Sequence, residues 1–357
     1  MNPLTPGTHK NPTNQASNIK LAFADNKRRW RRIANRVGAV LERLPFKEVY
    51  AEEAPSVTKD EKRTALLTNM AYAAEWFAKN AEFTLPVSVL RDELNLFTNA
   101  KRYEYEVTSG MMDRTMDTIA AILQQDLLDG SDFWATRFWM NVYLSDSVQD
   151  GTLDSFESAL RITEGTPVES NIAILDAQQQ LASPVYQDRL RLVHGRVFEE
   201  MKGLTAEMKS QLRITLTEGV ARGVGIRDLK GMINKRLSVG LVRAERIART
   251  EINQAYRTSY MDEAKQLNET ALADDEWEIR QIHRSALSPT TRKHHADRHG
   301  TIHTIQQQRD WWATGSNAIN CLCSTLDVLI NKKTGEILQK KLQARMEKQR
   351  EEWFPTR

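Results

Sequence analysis

The chain has 357 residues, 40% of them hydrophobic, with 50 basic and 47 acidic side chains and a formal net charge of +3. This is the composition of a folded protein, not of a disordered or fibrous one, and its charge balance alone gives no reason to expect nucleic acid or an anionic membrane as partner. A single core usually stops growing near ~250 residues, so the length allows one large core and favours two or three smaller ones.

Residues 1–20 are rich in Asn, Pro, Thr and Gln, have almost nothing to bury, and read as a flexible arm. The opening MNPLTPGTHKNPTNQAS lacks the apolar centre of a secretory signal. No later apolar run approaches the ~20 residues of a spanning helix, so cytoplasmic synthesis without a membrane segment is expected. From Leu21 to Leu44 the residues Trp30, Ile33, Ala34, Val37, Val40, Leu41 and Leu44 recur at helical spacing. Lys27, Arg28, Arg29, Arg31, Arg32 and Arg36 crowd the remaining surface, which makes a basic amphipathic helix ending near Pro45. Two readings of that basic surface stay open. It contacts DNA phosphates, with Trp30 stacking on bases, or it is the solvated side of a helix whose apolar stripe docks on a protein.

A linker through Pro55 and Ser56 follows. Helical patterns then cover 61–79, 87–96, 109–128, 133–143, 152–160 and 171–181, mostly separated by Gly, Pro or Asp clusters, so 21–180 is expected to be an all-α region. Residues 185–273 continue as a helical core, with segments at 185–203, 205–223, 226–237 and 242–267. In the last segment Ala244, Ile247, Ala248, Ile252, Ala255, Tyr256 and Tyr260 form one stripe. Glu251 sits at its edge and needs a partner, Arg292 or another Arg, that would lock this helix onto the region that follows.

Near Asp274 the pattern changes. Trp277, Ile279 and Gln281, and later Leu326, Val328 and Ile330, alternate like strands, so 274–337 reads as a small α+β module. Residues 338–357 form a charged tail helix whose narrow seam of Leu338, Leu342 and Met346 packs on a neighbour. The fold class is therefore mainly α: a multi-helix body, a small C-terminal α+β Cys/His module and a tail helix.

Five of the seven histidines (His283, His294, His295, His299 and His303) and both cysteines, Cys321 and Cys323, lie in that module. His295 and His299 share a face if their segment is helical, with Gly300 to stop the helix, and Cys321 and Cys323 share a face if extended. Brought together, the four form a Cys2His2 set suited to a structural zinc, with His283, His294 and His303 as substitutes. The plainer alternative is that the cysteines are small buried hydrophobes and the histidines ordinary polar groups. No disulfide framework exists, and a bridge between positions two apart is strained. HExxH, the deaminase pair of H-x-E and C-x-x-C, GxxxxGK[ST] and a helix-opening GxGxxG are all absent, which disfavours hydrolytic zinc, motor ATPase and dinucleotide chemistry. A Cys nucleophile with His295 as base lacks an evident third orienting group.

Arg292, His295, His299 and Gly300, followed by Asn320-Cys321-Leu322-Cys323, resemble the signature of the Mu F-like, or phage head-morphogenesis, minor head proteins. Upstream, Gly223 to Leu229 and Ala244 to Glu251, ending in Ala248-Arg249-Thr250-Glu251, extend the resemblance over roughly residues 185–330. Leu322 departs from the family's usual Arg between the cysteines, and an Asp common before the first Arg of the motif has no clear counterpart. The resemblance implies a few-copy structural protein of a tailed bacteriophage, made in the host cytoplasm and built into the virion head near the portal. Its implied partners are the portal protein, the major capsid or scaffold protein, and packaged DNA. It acts by binding, not as an enzyme, in head assembly and DNA packaging or ejection. Two rival readings are a zinc- or cysteine-dependent enzyme acting during ejection and a DNA-binding protein of the genome end.

Overall fold

The structure is a computed structural model that describes residues 11–49, 102–129 and 138–354. The fold is mainly α. The described helices and strands, in chain order, are α1 (Ala16–Leu41), β1 (Phe46–Val49), β2 (Arg102–Tyr105), α2 (Ser109–Leu128), α3 (Asn141–Thr163), α4 (Glu169–Ala173) and α5 (Ala177–Ala182). They continue with α6 (Pro184–Ala221), α7 (Ile226–Glu269), β3 (Trp277–Arg284), α8 (Lys293–Asp297), β4 (Ile302–His303), α9 (Ile305–Ala313), β5 (Ser324–Asn331) and α10 (Lys340–Trp353). Two compact units emerge, one from Met1–Arg36, Ile119–Lys209 and Arg236–Arg357, the other from Val37–Thr118 and Ser210–Lys235. No helix among the described residues is long and apolar enough to cross a membrane.

In the first unit the chain is already ordered at residue 11, where the sequence reads as a flexible arm up to 20. Thr13 donates to Asn253 Oδ1 at 2.6 Å, Ser324 donates to the Pro12 carbonyl at 3.1 Å, and Gln15 donates to Asp150 at 2.8 Å while accepting from Ser147 at 2.7 Å. The segment has few apolar groups, but Thr13 and Gln15 are buried because each meets a polar partner on α3 or α7.

Two expected helix breaks are absent because glycine serves close packing there. The helix expected at 152–160 is part of α3, which starts at Asn141 and runs through Gly151. A Cβ at Gly151 would collide with the backbone of Tyr256 on α7. The break expected between 237 and 242 is likewise filled, since Trp30 of α1, 3% exposed, occupies the space a Cβ of Gly240 would need. Gly203 also sits inside an unbroken helix, the 38-residue α6. The segment 171–181, by contrast, is two short helices, because Asp176 turns out of helical geometry to accept from the Gln178 N–H at 2.8 Å and cap α5.

The C-terminal module carries a three-stranded antiparallel sheet in the order β4-β3-β5, with Gln281 opposite His303 and Ile282 opposite Leu326. Alternation along β5 divides its side chains between two cores. Leu326, Val328 and Ile330 join Ile282 and are covered by Leu342 and Met346 of α10. Leu329 faces the other way, into a core with Phe156, Ile162, Met261, Leu267 and Trp312. The tail helix thus finds its neighbour on the sheet, where each of the two buried side chains contributes ~1.5–3 kcal/mol.

In the second unit β1 and β2 pair antiparallel, Phe46 opposite Tyr105, with their rings 5.9 Å apart. The Tyr105 hydroxyl donates to the Val224 carbonyl at 2.7 Å. These strands correct the all-α reading of 21–180 and the linker reading after Pro45. Four-residue strands whose partners lie more than fifty positions away leave no local periodicity to detect. The helices expected at 61–79 and 87–96 lie outside the described residues.

Candidate metal centre

Three candidate ligands, one imidazole and two thiols, converge inside the first unit. His295 on α8 places Nδ1 3.4 Å from Cys323 Sγ and 3.5 Å from Cys321 Sγ, and the three donor atoms lie within 4.8 Å of one another. The Cys323 N–H donates to Cys321 Sγ at 3.4 Å, which folds the C-x-C segment so that both sulfurs face the ring. All three residues are buried, at 2%, 3% and 3% exposure for His295, Cys321 and Cys323. Two thiols and an imidazole nitrogen at this spacing make a donor set for a soft or borderline metal ion.

His299, expected as the fourth ligand, is elsewhere. Its Nδ1 accepts from the Ser285 N–H at 3.0 Å and its Nε2 meets Gln349 Oε1 at 3.3 Å. The helix that would have placed it one turn from His295 ends at Asp297. None of the substitutes takes its place. His283 bonds Gln308 at 3.1 Å between the rings of Trp311 and Trp312, and burial lowers its pKa to about 3, so it stays neutral. His294 bonds Asn317 at 3.0 Å, and His303 bonds Thr301 at 2.7 Å.

The surrounding motif residues hold the C-x-C segment in place. Arg292 donates to the carbonyls of Ser316 at 2.7 Å and of Asn317 and Ile319 at 3.1 Å, drawing the turn before Cys321 onto α8. Asn320 adopts φ 53° and its N–H donates to Thr250 Oγ1 on α7 at 3.1 Å. Gly300, at φ +85°, leaves room for α10, whose Glu347 nitrogen would lie 3.0 Å from any Cβ. Arg249 lies over the Phe23 ring at 5.1 Å. Glu251 pairs with Arg196 of α6, not with Arg292, and burial raises its pKa to about 7 against the lowering pull of Arg196.

One further residue, Arg257 of α7, is absent from the sequence reading. It is 1% exposed, and its Nη1 donates to the carbonyls of Cys321 at 3.0 Å and Cys323 at 3.3 Å while its guanidinium lies 5.0 Å from the centre of the Trp312 ring. The signal was present in the spacing: Asn253, Arg257, Tyr260 and Ala264 share the inward face of α7, so a permanent cation points into the core. Burial pushes the Cys321 thiol up, but the Cys323 hydrogen bond, the Arg257 charge and His295 outweigh it and hold the thiol well below its ordinary range. Cys323 is pushed up by its hydrogen bond to Cys321 and by burial.

The basic residues of α1 are mostly engaged within the protein. Arg32 and Arg36 bond Asp126 at 2.9 and 2.8 Å, Arg29 bonds Asp129 at 3.0 Å, Arg28 pairs with Asp25 at 3.3 Å, and Lys27 lies 3.7 Å from Glu245. Trp30 is in the core, which corrects the reading of it as a stacking platform. Arg31 remains exposed.

Residues 210–326 match the model of a family described as phage Mu protein F like protein. The match runs from within α6 through α7 to the first residues of β5 and contains all three donors and Arg257, and it supports the resemblance drawn from the motif residues. No curated protein and no solved structure matches the chain.

Proposed function

We propose, with the Mu F-like match as premise, that this protein is a bacteriophage head-morphogenesis component, a minor head protein that resides in the virion beside the portal and acts by binding. The observation that carries this reading is the coincidence of the matched segment with the motif residues that build the buried Cys/His cluster. Arg292, Asn320, Thr250 and Gly300 all serve to fix the C-x-C segment against α7, α8 and α10. Such a cluster, loaded with a metal ion, ties the C-x-C segment to α8 and adds to the two cores that flank the sheet. The burial of both thiols favours a structural role over a nucleophilic one, because a substrate has no approach to them.

In this reading the portal protein and the major capsid or scaffold protein are the partners, and the C-terminal module is a rigid docking element. The internal pairing of Lys27, Arg28, Arg29, Arg32 and Arg36 favours protein docking over DNA contact. The test is co-sedimentation of the purified chain with portal rings and with assembled heads, at low and at high salt. Stoichiometric, salt-tolerant association with portal or head supports the reading. Association only with DNA, abolished by salt, overturns it.

A further inference from the structure

We propose that the His295/Cys321/Cys323 cluster is built for one soft monovalent cation, copper(I) in a cell, held in three-coordinate geometry by two sulfurs and one nitrogen. The inference rests on the metal-holding reading of the cluster given above and goes beyond it by assigning the ion's charge and coordination.

Ligand number is the first argument. Structural zinc is almost always held by four protein ligands. Among the described residues, three His, Cys, Asp or Glu side chains converge here and no fourth joins them. His299 is occupied by Ser285 and Gln349, and His283 faces Gln308 between two indoles. A solvent ligand would have to enter a site whose donors are 2–3% exposed. Soft thiolates select copper(I) as readily as zinc, and three ligands satisfy the former.

Charge is the second and independent argument. Two thiolates and a neutral imidazole carry two negative charges. A divalent ion neutralises them, and Arg257 is then a buried, permanently charged guanidinium whose only carboxylate influence among the described residues is Glu251, which Arg196 shares. No carboxylate hydrogen-bonds to Arg257 among the described residues; its Nη1 is spent on two carbonyls, and its Nη2 is buried without a partner. Glu251, the carboxylate that acts on Arg257, is hydrogen-bonded to Arg196 and not to Arg257. Arg298 adds a second half-buried cation, 4.7 Å from the centre of the Trp311 ring that packs on His295, and its partner Gln308 is neutral. A monovalent ion leaves the complex with one negative charge, which Arg257 balances. Loading releases the thiol protons to solvent.

The test compares copper(I), supplied from a colorimetric chelator complex without oxygen, with zinc chloride on the full chain. X-ray absorption of the copper-loaded wild type is expected to show one copper per chain with two sulfurs and one nitrogen. Arg257→Met is expected to lower the ratio of copper(I) to zinc affinity by about tenfold or more, because one nearby charge is removed. Arg257→Lys is expected to keep that ratio, and Cys321→Ser to lose copper binding. A four-coordinate site in the zinc- or cobalt(II)-loaded wild type with tighter zinc binding, or a ratio unchanged by Arg257→Met, overturns the proposal while the metal site stands. Failure of both ions to bind, with both thiols freely titrating, overturns the metal site and the proposal together. If Arg257→Met does not fold, the wild-type coordination number decides.

Discussion

The backbone N–H of Asn320 donates to the hydroxyl of Thr250 at 3.1 Å, across 70 positions of sequence. This bond joins the two motif segments directly: the Ala-Arg-Thr-Glu turn of α7 positions the residue that begins the Asn-Cys-Leu-Cys segment. Asn320 is in the left-handed region, so its N–H is directed by a strained turn that Thr250 helps to hold. Thr250→Val is expected to cost ~1 kcal/mol of stability and to raise the reactivity of the cysteines toward a thiol reagent. Thr250→Ser, which keeps the hydroxyl, should restore both. Equal thiol reactivity in all three proteins would contradict this role.

Glycine substitutions separate close packing from chain freedom. Gly240→Ala is expected to destabilise by ~1–3 kcal/mol, since its Cβ would enter the space of the Trp30 ring, and Gly151→Ala at least as much, since the Tyr256 backbone cannot yield as a side chain does. Gly203 lies in α6 with nothing within 4 Å of its Cβ position, so Gly203→Ala should stabilise by ~0.5–1 kcal/mol. Denaturant titration of the three variants reads the order directly. A Gly240→Ala protein as stable as Gly203→Ala would show that α1 does not pack on α7 as described.

Much of this was legible in the sequence. The stripe on α7, the alternating strands of the module and the Leu342 and Met346 seam of the tail helix all follow from side-chain periodicity, because burial selects apolar residues at the period of the element, whereas Leu338 precedes α10 and is exposed. The pairing of His295 with Cys321 and Cys323 was legible because few other residues offer those donors. The position of His299 was not, since the end of a five-residue helix depends on the tertiary contacts of Ser285 and Gln349. Burial of Thr13 and Gln15 was hidden for a related reason: polar groups become buriable only where distant partners meet them, and Asn253 and Asp150 are 240 and 135 positions away.

Stability should depend on pH through Asp327. This carboxyl is 2% exposed, accepts from Gln281 Nε2 at 3.2 Å, and is pushed by burial to a pKa of about 7. Its folded value lies above the unfolded value of ~3.9, so the folded protein holds the proton more tightly between the two. The associated stability is present in full below the unfolded pKa and is lost as pH rises through about 7. Glu251, also raised to about 7, acts in the same direction. His283 and His303, lowered by burial to about 3 and about 4, act in the opposite direction, so the Asp327 contribution is read as a difference: the parent's denaturation midpoint is expected to fall from pH 5 to pH 8 relative to that of Asp327→Asn. A difference that is flat or rises across this window would contradict the assignment.

The N-terminal segment offers a simpler check. Thr13→Val leaves Asn253 Oδ1 without its donor in a buried position, for an expected loss of ~1–2 kcal/mol. Gln15→Ala should behave similarly by removing its buried side chain and its bonds to Ser147 and Asp150. If both variants match the parent in denaturant, the segment is not part of the folded unit.

The most direct measurement follows Cys321→Ser and Cys323→Ser chains through phage assembly, quantifying soluble folded protein and the amount recovered in purified heads. For a structural, metal-stapled component, folded protein and head incorporation are expected to fall together, and the parent chain should carry stoichiometric metal. Heads that incorporate the variants at full level yet lose a chemical activity would contradict the binding role and make the Cys/His cluster an enzyme site.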